Sequence, residues 1–177
     1  KNRSTSGEDW NVQTISDPTD ILLLNTTDAS TDYSYAWNDT AATSSVFSVG
    51  TSSETNNSSN SFVAVCFADV PGFSKAGWFR GNGNANGTFV NLGFRPSYIM
   101  LKMRSTTVSG GGDWTIRDVK RDVDNPSTQA LYANLNNAES TTSLHIDILS
   151  NGFKIRSSGD DINEDDETIW FIAFAEF

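Results

Sequence analysis

Six carboxylates and an asparagine crowd into eight residues, Asp160-Asp161-Ile162-Asn163-Glu164-Asp165-Asp166-Glu167. Oxygen donors at that density suit a hard cation such as calcium, and Asp160, Asp161, Asp165 and Asp166 are the candidate ligands. The spacing is not that of an EF-hand, and a run of like charges also makes a solvated loop whose members repel one another. A second chemistry is aromatic. Tyr33, Tyr35 and Trp37 alternate within Asp32-Tyr33-Ser34-Tyr35-Ala36-Trp37-Asn38-Asp39. On a strand that alternation sets three rings on one face. Such rings stack on the apolar faces of sugars while nearby Asn and Asp bind hydroxyls, so these three are the candidate carbohydrate platform. The competing reading is an amphipathic strand packed on the core. Gly81-Asn82-Gly83-Asn84-Ala85-Asn86-Gly87 has the composition of a phosphate loop. Its spacing fits neither the dinucleotide nor the Walker pattern, and a tight hairpin loop with positive φ is the better reading.

Other reactive residues stand alone. His145 is the sole histidine and Cys66 the sole cysteine. One His without a second His or a Cys makes no transition-metal site. Cys66 lies inside an apolar run, where a thiol behaves as a small hydrophobe. No serine elbow, Cys-His pair or paired-carboxylate arrangement can be assigned, so the chain reads as non-enzymatic, with no catalytic residue and no cofactor beyond a calcium ion in the acidic loop.

Two apolar runs must position everything else: residues 61–70 and residues 168–177. Both are dense in β-branched and aromatic residues and free of Gly and Pro, so both read as strands. Both are apolar on each face, which predicts cover on both sides and makes them the expected central strands. They also match one another, Phe67-Ala68-Asp69 against Phe174-Ala175-Glu176. The match extends through the chain. Asp9-Trp10-Asn11-Val12 answers Asp113-Trp114-Thr115-Ile116, and Leu22-Leu23-Leu24-Asn25 answers Leu131-Tyr132-Ala133-Asn134. Val46-Phe47-Ser48-Val49 answers Gly152-Phe153-Lys154-Ile155, and the polar loop 52–60 answers the acidic loop 157–167. Landmarks in one order, with drift confined to loop lengths, indicate an internal duplication.

The expected organisation is a first β repeat over 1–70, a connecting hairpin over 71–93 and a second β repeat over 94–177, in one compact unit. In the second repeat residues 94–101 run straight into Lys102, and Tyr98 to Met103 is the expected strand. The corresponding strand of the first repeat is expected ahead of Lys1, either in a longer polypeptide or from another chain. The fold class is all-β, a sandwich-like body: short strand signals are separated by turn residues, and no segment holds a helical period.

With 22 acidic and 12 basic residues the net charge is −10. That excludes nucleic acid, whose phosphates need Lys and Arg, and disfavours an anionic membrane surface. No apolar run approaches the about 20 residues of a membrane-spanning helix.

Phe62-Val63-Ala64-Val65-Cys66-Phe67-Ala68-Asp69-Val70-Pro71-Gly72-Phe73-Ser74-Lys75 carries a further signal. With it go Gly81-Asn82-Gly83, Gly93-Phe94-Arg95-Pro96, Lys120-Arg121-Asp122, residues 148–156 and Ala173-Phe174-Ala175-Glu176. Together these resemble an uncharacterised domain family of virion proteins of marine tailed bacteriophages, found at the end of tail-fibre-like polypeptides. The resemblance covers nearly the whole chain. It implies a non-enzymatic virion structural module, in a tail fibre or as capsid-surface decoration, acting in assembly or host-surface attachment. It implies a virion-surface, extracellular setting, and as partners further copies of the chain in a homo-oligomer, other virion proteins and a cell-surface glycan. Two alternatives stand beside it: a carbohydrate-binding module of a host-facing protein, and an extracellular strand-donating sheath or adhesion subunit.

Overall fold

The computed structural model describes residues 1–15, 17–105 and 112–176, and of Asp160 the backbone alone. The expected Gly-rich turn over 106–111 and the terminal Phe177 lie outside the described residues. The fold is all-β. A small antiparallel sheet comes first in the chain: β1 (Asn11–Val12), β2 (Asp20–Leu23) and β3 (Thr31–Asp32), in the order β1-β2-β3. Two one-turn helices follow, α1 (Ser34–Trp37) and α2 (Ser53–Asn56).

The rest of the chain builds one eight-stranded antiparallel sheet. Its strands are β4 (Ser74–Arg80), β5 (Phe89–Asn91), β6 (Pro96–Met103), β7 (Thr115–Asp118), β8 (Ser127–Tyr132), β9 (Ser140–Leu149), β10 (Gly152–Ile155) and β11 (Thr168–Ala175), with the one-turn helix α3 (Asp160–Asn163) before the last. Their order is β4-β11-β6-β7-β8-β9-β10-β5. The sheet curls until its edges approach: Thr88 Oγ1 donates to Arg80 O at 2.7 Å, and Lys75 Nζ to Asn91 O at 3.0 Å.

Alternation explains the core. On β9, Leu144, Ile146 and Ile148 are buried while His145 and Asp147 are only half-buried. That places the lone histidine off the apolar face, as the two-residue period requires. Ile99, Leu101, Ile155, Ile169 and Phe171 fill the same interior. The ring of Phe153 meets Phe171 and Phe79 edge-on at 5.6 and 6.0 Å. On the outer face Trp170 and Trp114 pack with Leu22 of β2, and Met100, Val12 and Leu24 lie against them. The small sheet therefore covers the large one, and β11 is buried on both faces, as its composition predicts. Ile21 points the other way and packs with Ala36 and Trp37 of α1.

Three expectations are overturned. Residues 61–70 are not a buried central strand. Phe62 makes one antiparallel bridge, to Asn2, and residues 64–70 are exposed, Cys66 among them. Composition is not at fault, because β11 has ladder partners on both sides, β4 and β6, whereas no backbone hydrogen bond among the described residues reaches 64–67. Residues 46–49 form no strand either; Val46, Phe47 and Val49 are exposed. Nor do β4 and β5 form a hairpin. They pair with β11 and β10 and stand at opposite ends of the sheet order.

Duplicated halves are not shown by this architecture, since one half supplies three short strands and the other most of the large sheet. One local motif does recur. Asn25 Oδ1 accepts from Trp10 N at 2.8 Å and Asn25 Nδ2 donates to Asp9 Oδ1 at 2.7 Å. Asn134 Oδ1 accepts from Trp114 N at 2.9 Å and Asn134 Nδ2 donates to Asp113 Oδ1 at 2.7 Å. The ladders match in register, Asn11↔Leu23 and Val12↔Leu22 against Thr115↔Tyr132 and Ile116↔Leu131.

Candidate functional site

The acidic segment is a clamp. Gly159 opens α3, Ile162 is fully buried, and Asn163 beside it is buried too. The Asn163 amide donates to Asn82 Oδ1 at 3.0 Å, Asn84 O at 2.8 Å and Ser157 O at 2.8 Å. Its Oδ1 accepts from Asn82 N at 3.1 Å, and its backbone carbonyl from Gly83 N at 2.8 Å. The Gly-Asn loop 81–87 is thus held against the acidic segment. Gly81 must be glycine here, because a Cβ would sit 2.0 Å from Glu164 O.

The calcium candidates do not converge. Asp161 is half-buried, Asp165 and Asp166 are exposed, and the side chain of Asp160 lies outside the described residues. Asp166 takes a left-handed φ of 59° and stands 3.6 Å from Arg80 Nη1. Among the described residues no group of three His, Cys, Asp or Glu is placed to hold a metal ion.

The aromatic candidates are split. Tyr33, Tyr35 and Trp37 are not on a strand: β3 ends at Asp32 and α1 takes over. Asn38 and Asp39 have φ of 54° and 46°, and Asn38 N donates to Ser34 O at 2.8 Å, so a left-handed cap curls the segment into one turn. Asn and Asp are the non-glycine residues that tolerate that conformation best. Trp37 is buried against Ile21, while Tyr35 is 60% exposed and meets Tyr33 edge-on at 5.6 Å. Of the expected platform Tyr35 is exposed, while Tyr33 is half-buried against the cluster of Ile21, Ala36 and Trp37.

Other groupings escape sequence reasoning. Phe67, Phe73 and Tyr98 surround Phe174 at centroid distances of 5.6, 6.0 and 6.0 Å. Trp78 of β4 and Phe89 of β5, both exposed, flank a groove at the seam of the large sheet, with Lys75, Asn91 and Phe171 lining it. No sequence signal brings these residues together, because the seam depends on strands paired across the chain. Two cations are fully buried. Lys102 Nζ donates to Met103 O at 3.0 Å and Thr27 O at 3.4 Å, and burial lowers its pKa from 10.5 to about 8 against the pull of Asp113, Asp28 and Asp161. Arg117 donates to Thr142 Oγ1 at 2.9 Å and Leu144 O at 2.6 Å, and burial lowers it to about 10. These carbonyl-bound cations brace the sheet. Cys66 is a free, exposed thiol, and His145 is half-buried on β9.

No curated protein and no solved structure matches the chain. A family model does match, over residues 1–177, and the chain belongs to that family, described as a domain of unknown function, DUF7483.

Proposed function

We propose that this chain is a non-enzymatic structural module of a tailed-phage virion, in a tail fibre or as capsid-surface decoration, working through contacts with further copies of itself. The observation that carries the reading is the set of large apolar side chains left on the surface of an acidic all-β body. Val46, Phe47, Val49, Val65, Phe67, Trp78 and Phe89 are all exposed. Contact with other protein would cover such side chains. The virion setting is supported by the sequence resemblance of residues 62–75 and the stretches that accompany it. The test is the native mass in solution by light scattering. A trimer or larger assembly is expected; a monomer at all concentrations overturns the reading.

A second reading, glycan recognition, is favoured by Tyr35 and Tyr33, whose rings adjoin and which precede the polar, exposed Asn38 and Asp39 in the chain. Binding to a glycan array that disappears in Tyr35→Ala supports it. Unchanged binding in that variant, or none in the parent, removes it.

A further inference from the structure

β4 and β5 meet across the seam of the large sheet, and no ladder joins them. The odd-numbered residues of β4 turn their main-chain groups to β11: Ala175 N donates to Phe73 O at 2.7 Å and Gly81 N to Glu167 O at 2.9 Å. The even-numbered ones therefore point into the seam. Asp69 Oδ1 accepts from Ala76 N at 2.8 Å and Arg80 O from Thr88 Oγ1 at 2.7 Å, and between them the N–H and C=O of Trp78 are aimed into the gap. On β5, Ile155 N donates to Thr88 O at 3.0 Å and Leu92 N to Asn151 O at 2.9 Å, so the main-chain groups of Phe89 and Asn91 point the other way, into the same gap. Lys75 Nζ crosses it to Asn91 O at 3.0 Å. The floor of the gap is apolar, made by Phe79, Val90 and Phe171 of the core. Phe171 fits there because residue 77 is glycine; a Cβ would stand 2.8 Å from Phe171 Cζ. Trp78 and Phe89 are the lips, 51% and 42% exposed. Among the described residues no carboxylate lines this groove, on a chain of net charge −10, and its one charged group is Lys75. Asp69 and Asp166, bonded to Ala76 N and paired with Arg80, stand outside the lining.

We propose that the seam groove is a binding site for an acidic sugar, a pyranose ring that bears a carboxylate. The rings of Trp78 and Phe89 stack on its apolar face. The main-chain groups of Trp78 and Phe89 and the Asn91 amide meet its hydroxyls. The carboxylate goes to Lys75, whose ammonium has three donors and gives one of them to Asn91 O. The groove holds about 390 Å³, inside the range of about 300–1,000 Å³ for small-molecule sites. Other occupants fit less well. A further β-strand needs the two edges at twice the strand spacing of about 4.8 Å, more than one threonine side chain and one hydrogen bond can span at Thr88. An acyl chain would cover the main-chain groups of Trp78 and Phe89 without pairing them, which costs about 1–3 kcal/mol for each group left unmatched. This inference goes beyond both readings above. It uses neither Tyr33 nor Tyr35, and it gives Trp78 and Phe89 a partner other than a second copy of the chain.

Calorimetric titration tests it with two acidic probes and their neutral counterparts: sialyllactose against lactose, and a tetramer of mannuronic acid against mannotetraose. At least one acidic probe is expected to bind, and its neutral counterpart to bind about tenfold more weakly, the worth of one charge-assisted hydrogen bond. Lys75→Gln is expected to bring the acidic probe down to the affinity of the neutral one. Trp78→Ala is expected to weaken both by about tenfold or more. Tyr35→Ala is expected to change nothing. Circular dichroism checks each fold, and Phe89→Ala replaces Trp78→Ala if that variant fails to fold. Absence of binding by both acidic probes at millimolar concentration overturns the proposal, as does equal affinity for acidic and neutral sugars. Binding that survives Trp78→Ala and disappears in Tyr35→Ala also overturns it, and returns the sugar to the Tyr33–Tyr35 pair. So does light scattering that finds an oligomer in the parent and a monomer in Trp78→Ala with no sugar present, which would give the groove to a second copy.

Discussion

Lys102 sits between the large sheet and Thr27, with no carboxylate at ion-pair distance among the described residues. Its direct hydrogen-bond partners are carbonyls, and burial lowers its pKa to about 8 against the more distant pull of Asp113, Asp28 and Asp161. The unfolded chain keeps the ordinary value of 10.5, so between pH 8 and 10.5 the unfolded state binds more protons than the folded one. Stability must then rise with pH through that window, and the penalty of the buried charge is fully present below about pH 8. The limit is about 3 kcal/mol, since each tenfold loss of proton affinity corresponds to roughly 1.4 kcal/mol. Urea unfolding at several pH values from 7 to 10 checks this; Lys102→Met is expected to flatten the rise. Asn163 makes a second prediction at this scale. Asn163→Ala removes two N–H groups, shared among Asn82 Oδ1, Asn84 O and Ser157 O, and one accepted bond from a buried site. A loss of about 2–4 kcal/mol is expected, because the partners stay buried and unpaired. Asn163→Asp should lose nearly as much, since a carboxylate keeps the acceptor and none of the donors. Equilibrium unfolding of both variants measures it.

Among the elements, the small sheet is held to the large one by an apolar layer and by polar links, Arg104 to Asp20 and Ser30 N to Arg104 O among them. Leu22 carries its packing on Trp114 and Trp170, and Trp114 Nε1 donates to Leu23 O at 2.9 Å. Leu22→Ala is expected to cost about 2–5 kcal/mol as a cavity in a tight layer. Amide exchange should then speed up first in β1 and β2, ahead of β9 and β10, because the barrel interior does not share that layer; uniform acceleration would show the two sheets open as one. Elements with both neighbours in the large sheet are legible in the sequence. β9 shows its alternation directly, and β11 its burial on both faces. What escapes a sequence reading is decided elsewhere in the chain. Residues 61–70 have the composition of a strand, but a strand exists only where a partner completes its ladder. The Gly-Asn loop suggests a hairpin, yet β11 and β10, far downstream, claim β4 and β5. Tyr33, Tyr35 and Trp37 fit a two-residue period over too short a span, and the left-handed Asn38 and Asp39 settle that segment as a turn. In the acidic run the informative residues are the two without charge. Ile162 and Asn163 are the buried ones, and an apolar-amide pair amid carboxylates is the signal that the run is anchored.

For the whole molecule, charge and exposed apolar surface act in opposition. A net charge of −10 on 177 residues makes copies of the chain repel one another, while Val46, Phe47, Trp78 and Phe89 favour association when covered. Salt separates the two. Repulsion between exposed charges falls as the screening length shrinks from about 30 Å at 0.01 M to about 3 Å at 1 M, whereas apolar burial is not weakened. An assembly held by apolar contacts should therefore tighten with salt, its association constant rising by about tenfold between low salt and about 0.5 M. An assembly held by ion pairs, of which Lys120–Glu176 and Arg80–Asp166 are surface examples within the chain, would loosen instead. Sedimentation velocity across a salt series reads the sign directly. Tightening supports a module that packs copies through its apolar surface. Loosening would transfer the contact to the charged rim and remove the observation on which the structural reading rests.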